Sequence, residues 1–166
     1  GAYGTLQKAK GKPFAFPGPA AAFTPIYQAT DSDILSRAID WCGIAEKAHG
    51  EIFNITNGDY FRWTNVWETI AKFFDLSAAP PQNIKLAETM GDDGPLWARL
   101  ADEHNLLERD LDAMVSWGFG DYVFGTTWDV MSDATKIRKF GFWDFIDTEV
   151  MLIDRLEQLR TLKIIP

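Results

Sequence analysis

Few residues in this chain are of a type that does chemistry, and they are scattered. The only thiol is Cys42 and the only imidazoles are His49 and His104. The two histidines lie far apart, without metal-ligand spacing, and both are expected at the surface. Asp31 with Asp33, and Asp92 with Asp93, could mimic a carboxylate pair. Each pair also opens a candidate helix, where acidic side chains offset the positive end of the helix dipole, and that reading is the simpler one. Ser132 has no histidine near it in sequence, so helix capping suits it better than nucleophilic attack. Asn54-Ile55-Thr56 matches a glycosylation acceptor but falls inside a predicted strand. Gly118, Gly120 and Gly125 do not have the G-x-G-x-x-G spacing of a dinucleotide cradle. A helix, not a strand, precedes them, so they read as structural glycines. No residue is singled out as catalytic, cofactor-binding or metal-binding.

The elements around these residues come from periodicity. Pro13 to Phe16 reads as a short strand closed by Pro17-Gly18, Pro19 to Phe23 as a loop, and Ile26 to Thr30 as a second extended piece. Thr30 is a candidate cap for a helix running to His49-Gly50, with Ile34, Leu35, Ala38, Ile39 and Cys42 on one face. Gly50 suits a left-handed position at its end. Glu51 to Thr56 alternates and contains β-branched residues, predicting a strand, and Asn57-Gly58-Asp59 a turn. Thr64 is read as the cap of a helix to Phe74 with Val66, Trp67, Ile70, Ala71 and Phe74 buried. Ala78 to Gln82 reads as a loop around Pro80-Pro81. Pro95 fits the first turn of a helix that buries Trp97, Leu100 and Ala101. Leu107 to Trp117 is a further helix, and Phe124 to Val130 is extended. Ser132 starts a helix that Gly141 ends. The longest helix spans roughly Asp144 to Leu162, with Val150, Ile153, Leu156 and Leu159 facing inward. The sum is a mostly helical α/β chain whose few strands have no obvious partners.

Composition narrows the function classes. With 166 residues, 46% hydrophobic and 14% aromatic, the chain can bury a core and is the size of one domain. Its net charge is -8 and its pI about 4.7. That balance argues against nucleic acid or an anionic membrane as partner. The many tryptophans therefore read as core rather than as a base-stacking platform. One cysteine cannot form an internal disulfide, so a reducing, cytoplasmic setting is expected. No apolar run is long enough to span a bilayer, and the first residues lack the zones of a signal peptide. Because residue 1 is glycine, either natural sequence is expected before it or a tag has been removed.

Three ordered segments resemble one family. Tyr27-Gln28-Ala29-Thr30-Asp31-Ser32-Asp33-Ile34-Leu35-Ser36-Arg37-Ala38-Ile39 is similar to a strand-helix element of extended short-chain dehydrogenases/reductases and sugar epimerases. Phe53-Asn54-Ile55-Thr56-Asn57-Gly58-Asp59 resembles their strand and turn, and Ser132 to Phe142 their D-x-[ST]-K element. The stretch Phe53 to Phe74, the run Trp117-Gly118-Phe119-Gly120-Asp121 and the ending Asp154 to Pro166 resemble the progesterone 5β-reductase/iridoid synthase-like branch. The resemblance covers nearly the whole chain.

It implies a parent reductase with an upstream Rossmann domain, NADPH, and a tyrosine–lysine pair, none of which lies in this chain. Residues 1–166 would be the C-terminal, substrate-binding portion, including one late strand (about 51–56) of the cofactor domain whose main sheet is missing. The implied partners are a small hydrophobic enone or carbonyl substrate, the upstream half and a second copy in a homodimer. No cofactor is expected on this chain alone, and the fragment is expected to be inactive. By analogy, Ile26 and Tyr27, together with Trp128 and Met131, line the substrate pocket, though core packing would also use such side chains. The alternatives are a non-catalytic module for a small hydrophobic ligand, part of an NAD-dependent sugar epimerase or dehydratase, and a fragment that self-associates through an open sheet edge.

Overall fold

A computed structural model describes residues Gly1–Pro166. Ten helices carry the chain: α1 (Ala2–Ala9), α2 (Ala20–Phe23), α3 (Ser32–Ile44), α4 (Trp63–Phe73), α5 (Leu86–Thr89), α6 (Gly94–His104), α7 (Leu111–Met114), α8 (Trp117–Phe124), α9 (Thr135–Lys139) and α10 (Thr148–Thr161). The only sheet pairs β1 (Phe14–Ala15) with β2 (Ala78–Ala79) in parallel, Phe14 opposite Ala78 and Ala15 opposite Ala79. Two residues per strand give little ladder. Side chains reinforce it: the Trp67 indole donates to the Phe14 carbonyl at 2.9 Å and the Tyr3 hydroxyl to that of Ala15 at 2.9 Å.

The core has three parts. One gathers Leu6, Phe74, Leu86, Met90, Trp97 and Leu111 beneath α1 and α6. A second is aromatic, built on Phe14, Phe16, Phe61, Trp63 and Trp67. A smaller third packs Ile34 and Ala38 of α3 on Ile137 and Phe142. The stripe expected on α4 is buried at Val66, Trp67, Ala71 and Phe74. Pro95 occupies the first turn of α6, which buries Trp97 and Ala101.

Several boundaries differ from the sequence expectation. Asp31, not Thr30, caps α3, because its carboxylate accepts from the Asp33 amide at 2.8 Å. That helix ends at Ile44, and a 3-10 turn (Glu46–Ala48) leads to Gly50 at φ +78°. Only Ile34 and Ala38 are buried on it. Ile39 is 64% exposed, because the third core takes the face of Ile34, Ala38 and the half-buried Trp41. Arg62, not Thr64, precedes α4. The loop expected at Pro19–Phe23 contains the single turn α2, and the one expected at Ala78–Gln82 begins with β2. Leu107 to Trp117 holds only the short α7, and Phe124 to Val130 has no strand. Ser132 does not cap α9. Its amide donates to Gln28 Oε1 at 2.5 Å, and the Asp133 carboxylate accepts from the Thr135 amide at 2.7 Å instead. Val150 on α10 is 56% exposed rather than buried.

Glu51–Thr56 forms no ladder within the chain. The amides of Ile52 through Thr56 meet no acceptor, and Ile52 is 85% exposed while Phe53 and Ile55 are half-buried. A strand is defined by backbone pairing with a neighbour, and here the neighbours offer side-chain bonds only: the Thr30 hydroxyl donates to the Ile55 carbonyl at 3.0 Å and the Asn54 amide group to the Asp133 carbonyl at 3.0 Å.

A polar clasp comes next in the chain. Asn57 is fully buried and accepts from the Asp31 amide at 2.7 Å while donating to Thr148 Oγ1 at 3.0 Å. Asp59 accepts from both the amide and the hydroxyl of Thr148, at 2.8 and 2.6 Å. Gly58, at φ +100°, makes the bend that lets both side chains reach these partners. The Asn57-Gly58-Asp59 turn thus ties the starts of α3 and α10 together.

Candidate substrate groove

The most apolar cavity is a groove of about 470 Å³, within the size range of small-molecule sites. Six stretches of chain distant in sequence build it. The floor is aromatic: the Phe14 and Trp67 rings stack at 4.5 Å and 9°, and Trp63 meets Phe124 at 5.2 Å. One wall is Met114 to Phe124. The opposite wall is α10, through Leu152, Leu156 and Leu159, which are half-buried beside it. The first turn of α1 closes one end. It approaches closely because residue 4 is glycine; a Cβ there would sit 2.5 Å from the Phe74 ring.

The polar groups on the lining are mostly committed to protein partners. The Tyr3 hydroxyl is spent on Ala15, and burial pushes it up to about 12, so it is a poor proton donor at neutral pH. Arg155 makes a bidentate pair with Asp31 (2.8 and 2.6 Å) and reaches Asp33 at 2.7 Å. Its hydrogen bond holds the Asp31 carboxyl below its usual range, more than the opposing effect of burial raises it. The guanidinium in turn is raised above its ordinary value by those two carboxylates. The pair anchors α10 to α3 beside the groove and leaves little of the guanidinium's bonding capacity free.

A dinucleotide does not fit the residues present. Gly118 and Gly120 lie inside α8, and the one-turn α7 precedes them. β1 is followed by Gly18 and the helix α2, but that link holds one glycine between two prolines and α2 is a single turn of four residues, so no G-x-G-x-x-G opens a helix to cradle a pyrophosphate. No group of three or more His, Cys, Asp or Glu is placed to hold a metal ion. His49 and His104 are both exposed, and no helix is long and apolar enough to cross a membrane.

The four residues expected at the pocket from resemblance do come together, but beside the groove rather than in it. Val130 donates to the Ile26 carbonyl at 2.9 Å, and the Ile26 amide to Asp129 Oδ1 at 2.8 Å, holding the two segments side by side. Tyr27 bridges to Phe61, and its ring lies 5.9 Å from Trp63. Trp128 and Met131 are 61% and 55% exposed. None of the four lines the groove, whose nearest shared residue is Trp63. Sequence reasoning missed Phe14, Trp63 and the α8 and α10 walls as a site. The available signal was on α10, where an apolar stripe recurs on a helix too polar to be fully buried.

No family model matches the chain. Among curated proteins it is 29% identical over 167 residues to an (S)-8-oxocitronellyl enol synthase of Antirrhinum majus, covering 99% of this chain and 43% of that protein. It is 26% identical over 167 residues to a 3-oxo-Delta(4,5)-steroid 5-beta-reductase of Arabidopsis thaliana, with the same shares. A Catharanthus roseus (S)-8-oxocitronellyl enol synthase matches at 24%, again over 99% of this chain and 43% of its own. The chain spans less than half the length of the curated relatives it matches. The motifs at Phe53–Phe74 and Asp154–Pro166 are accounted for by that likeness: the chain is a homologue of the oxocitronellyl enol synthases and the steroid 5-beta-reductase, and corresponds to a C-terminal portion of them.

Proposed function

We propose that this chain is the substrate-binding part of an NAD(P)H-dependent reductase of the extended short-chain type, acting on a small hydrophobic enone or carbonyl compound. The observation that carries this is the groove: about 470 Å³, 16 of its 21 lining residues hydrophobic, and no dinucleotide cradle beside it. Such a surface desolvates and orients an apolar substrate, which a hydride donor and a proton donor must approach within bonding distance. Both donors belong to another part of the parent protein. Glu51–Thr56, with its unmet amides, is the late strand that joins that part's sheet. Ile26, Tyr27, Trp128 and Met131 form an outer rim beyond Trp63 that a larger substrate touches. The half-buried, unpaired Cys42 suits a cytoplasmic setting.

The test is NADPH consumption by the full-length protein with a panel of hydrophobic enones, and the same assay on Leu156→Trp, which fills the groove. Turnover of at least one enone, with KM raised about tenfold or more in the variant, is expected. A variant indistinguishable from the parent would remove the groove from the reaction.

A further inference from the structure

Trp117 opens α8 at the wall of the groove, and its indole Nε1 is buried with no acceptor. It is the only buried side-chain nitrogen or oxygen in the chain left without a partner. Such groups are rare, because a donor taken from water and given nothing in return costs free energy on the scale of a lost hydrogen bond. Its neighbours on the lining differ: the Tyr3 hydroxyl donates to Ala15, the Trp67 indole to Phe14, and Arg155 to Asp31. A site this apolar needs at least one polar group to fix a ligand's orientation.

The helix that carries Trp117 is held most firmly in its second half. Asp121 accepts from the Leu86 and Ala87 amides at 2.6 and 3.2 Å, and Phe124 sits in the aromatic cluster. The first turn is more exposed, although Trp117 itself packs on the first core cluster. Ser116 and Gly118 are exposed, Phe119 is 65% exposed, and a Cβ on Gly118 would meet nothing within 4 Å. A turn flanked by this much exposed surface can shift with little burial lost.

We propose that Trp117 is the positioning residue of the groove: a small movement of the first turn of α8 lets its indole N–H donate to the carbonyl oxygen of a bound enone. The donor then gains an acceptor only when a carbonyl ligand is present, so the groove discriminates carbonyl compounds from hydrocarbons of the same shape. This rests on the groove being a ligand site, as proposed above.

The experiment uses the 166-residue chain and two monoterpenes of the same skeleton, carvone with its conjugated carbonyl and limonene without it. Binding is measured by calorimetry for the wild type and for Trp117→Phe, alongside thermal unfolding. The expected result is that W117F binds carvone about fivefold more weakly, as one neutral hydrogen bond is worth. Limonene binding and the unfolding temperature stay unchanged, or the temperature rises, since an unmet donor has been removed. Equal weakening of both ligands, or a lower unfolding temperature, overturns the role, because Trp117 then acts by shape or through a protein partner. Wild type that binds neither terpene overturns the groove assignment itself, and this proposal with it.

Discussion

Replacing Asn57 by alanine tests the polar clasp that sets the angle between α3 and α10. Asn57 is 0% exposed, and its side chain makes two hydrogen bonds, one from the Asp31 amide at 2.7 Å and one to Thr148 Oγ1 at 3.0 Å. Its own backbone bonds, to Ala29 and from Ile146, survive the change. The variant therefore leaves the Asp31 amide, on a residue 5% exposed, with no acceptor. Each loss of this kind costs about 1–2 kcal/mol, so the pair amounts to about 2–4 kcal/mol. For a chain of this size that lowers the unfolding temperature by about 5–15 °C. Asn54→Ala is the control. Its amide donates to the Asp133 carbonyl at 3.0 Å, but the residue is exposed, and its loss should cost less than about 0.5 kcal/mol. Urea unfolding followed by far-ultraviolet circular dichroism measures both, with the midpoint shifting at constant slope. Equal costs for the two variants would refute the structural importance given to the buried turn.

Three other substitutions probe the ion pair and the core. Arg155→Ala should flatten the acid side of the stability curve. The Asp31 carboxyl is depressed below 3.8 in the folded state, so its contribution is present above the unfolded value and lost as pH falls through the folded one. Unfolding curves between neutral pH and pH 3 read this, and an unchanged acid limb in the variant contradicts it. Gly4→Ala would place a Cβ 2.5 Å from the ring of Phe74, itself 3% exposed, and should destabilise by about 1–3 kcal/mol in urea unfolding. Trp97→Ala empties a fully buried site and leaves the Glu108 carbonyl without its 3.0 Å donor; a loss of about 3–5 kcal/mol is expected by the same assay.

Helices with strong apolar stripes were legible in the sequence: α4 and α6 bury most of the residues their periodicity names, with Ile70 and Leu100 half-buried. The left-handed position at Gly50 was legible because few other residues tolerate it. Caps were misplaced by one or two residues, since Thr30 and Asp31, or Ser132 and Asp133, offer competing oxygens and only tertiary contacts choose. Asp31 wins because Asn57 holds its amide and Arg155 its carboxylate. β2 was missed because two alanines carry no strand signal; their pairing depends on Phe14 being held by Trp67. The groove was illegible for a related reason. Its walls come from residues 1–4, 63–74, 114–124 and 152–159, and no local pattern marks segments that meet only in space.

Titrating the 166-residue chain with NADPH, with cofactor fluorescence as the signal, asks whether this chain holds substrate alone or cofactor as well. Absence of saturable binding is predicted, because the groove is built for an apolar molecule and the glycines closest to a pyrophosphate-binding pattern are wound into α8. Tight, saturable binding would contradict the division of labour proposed between this chain and the rest of its parent.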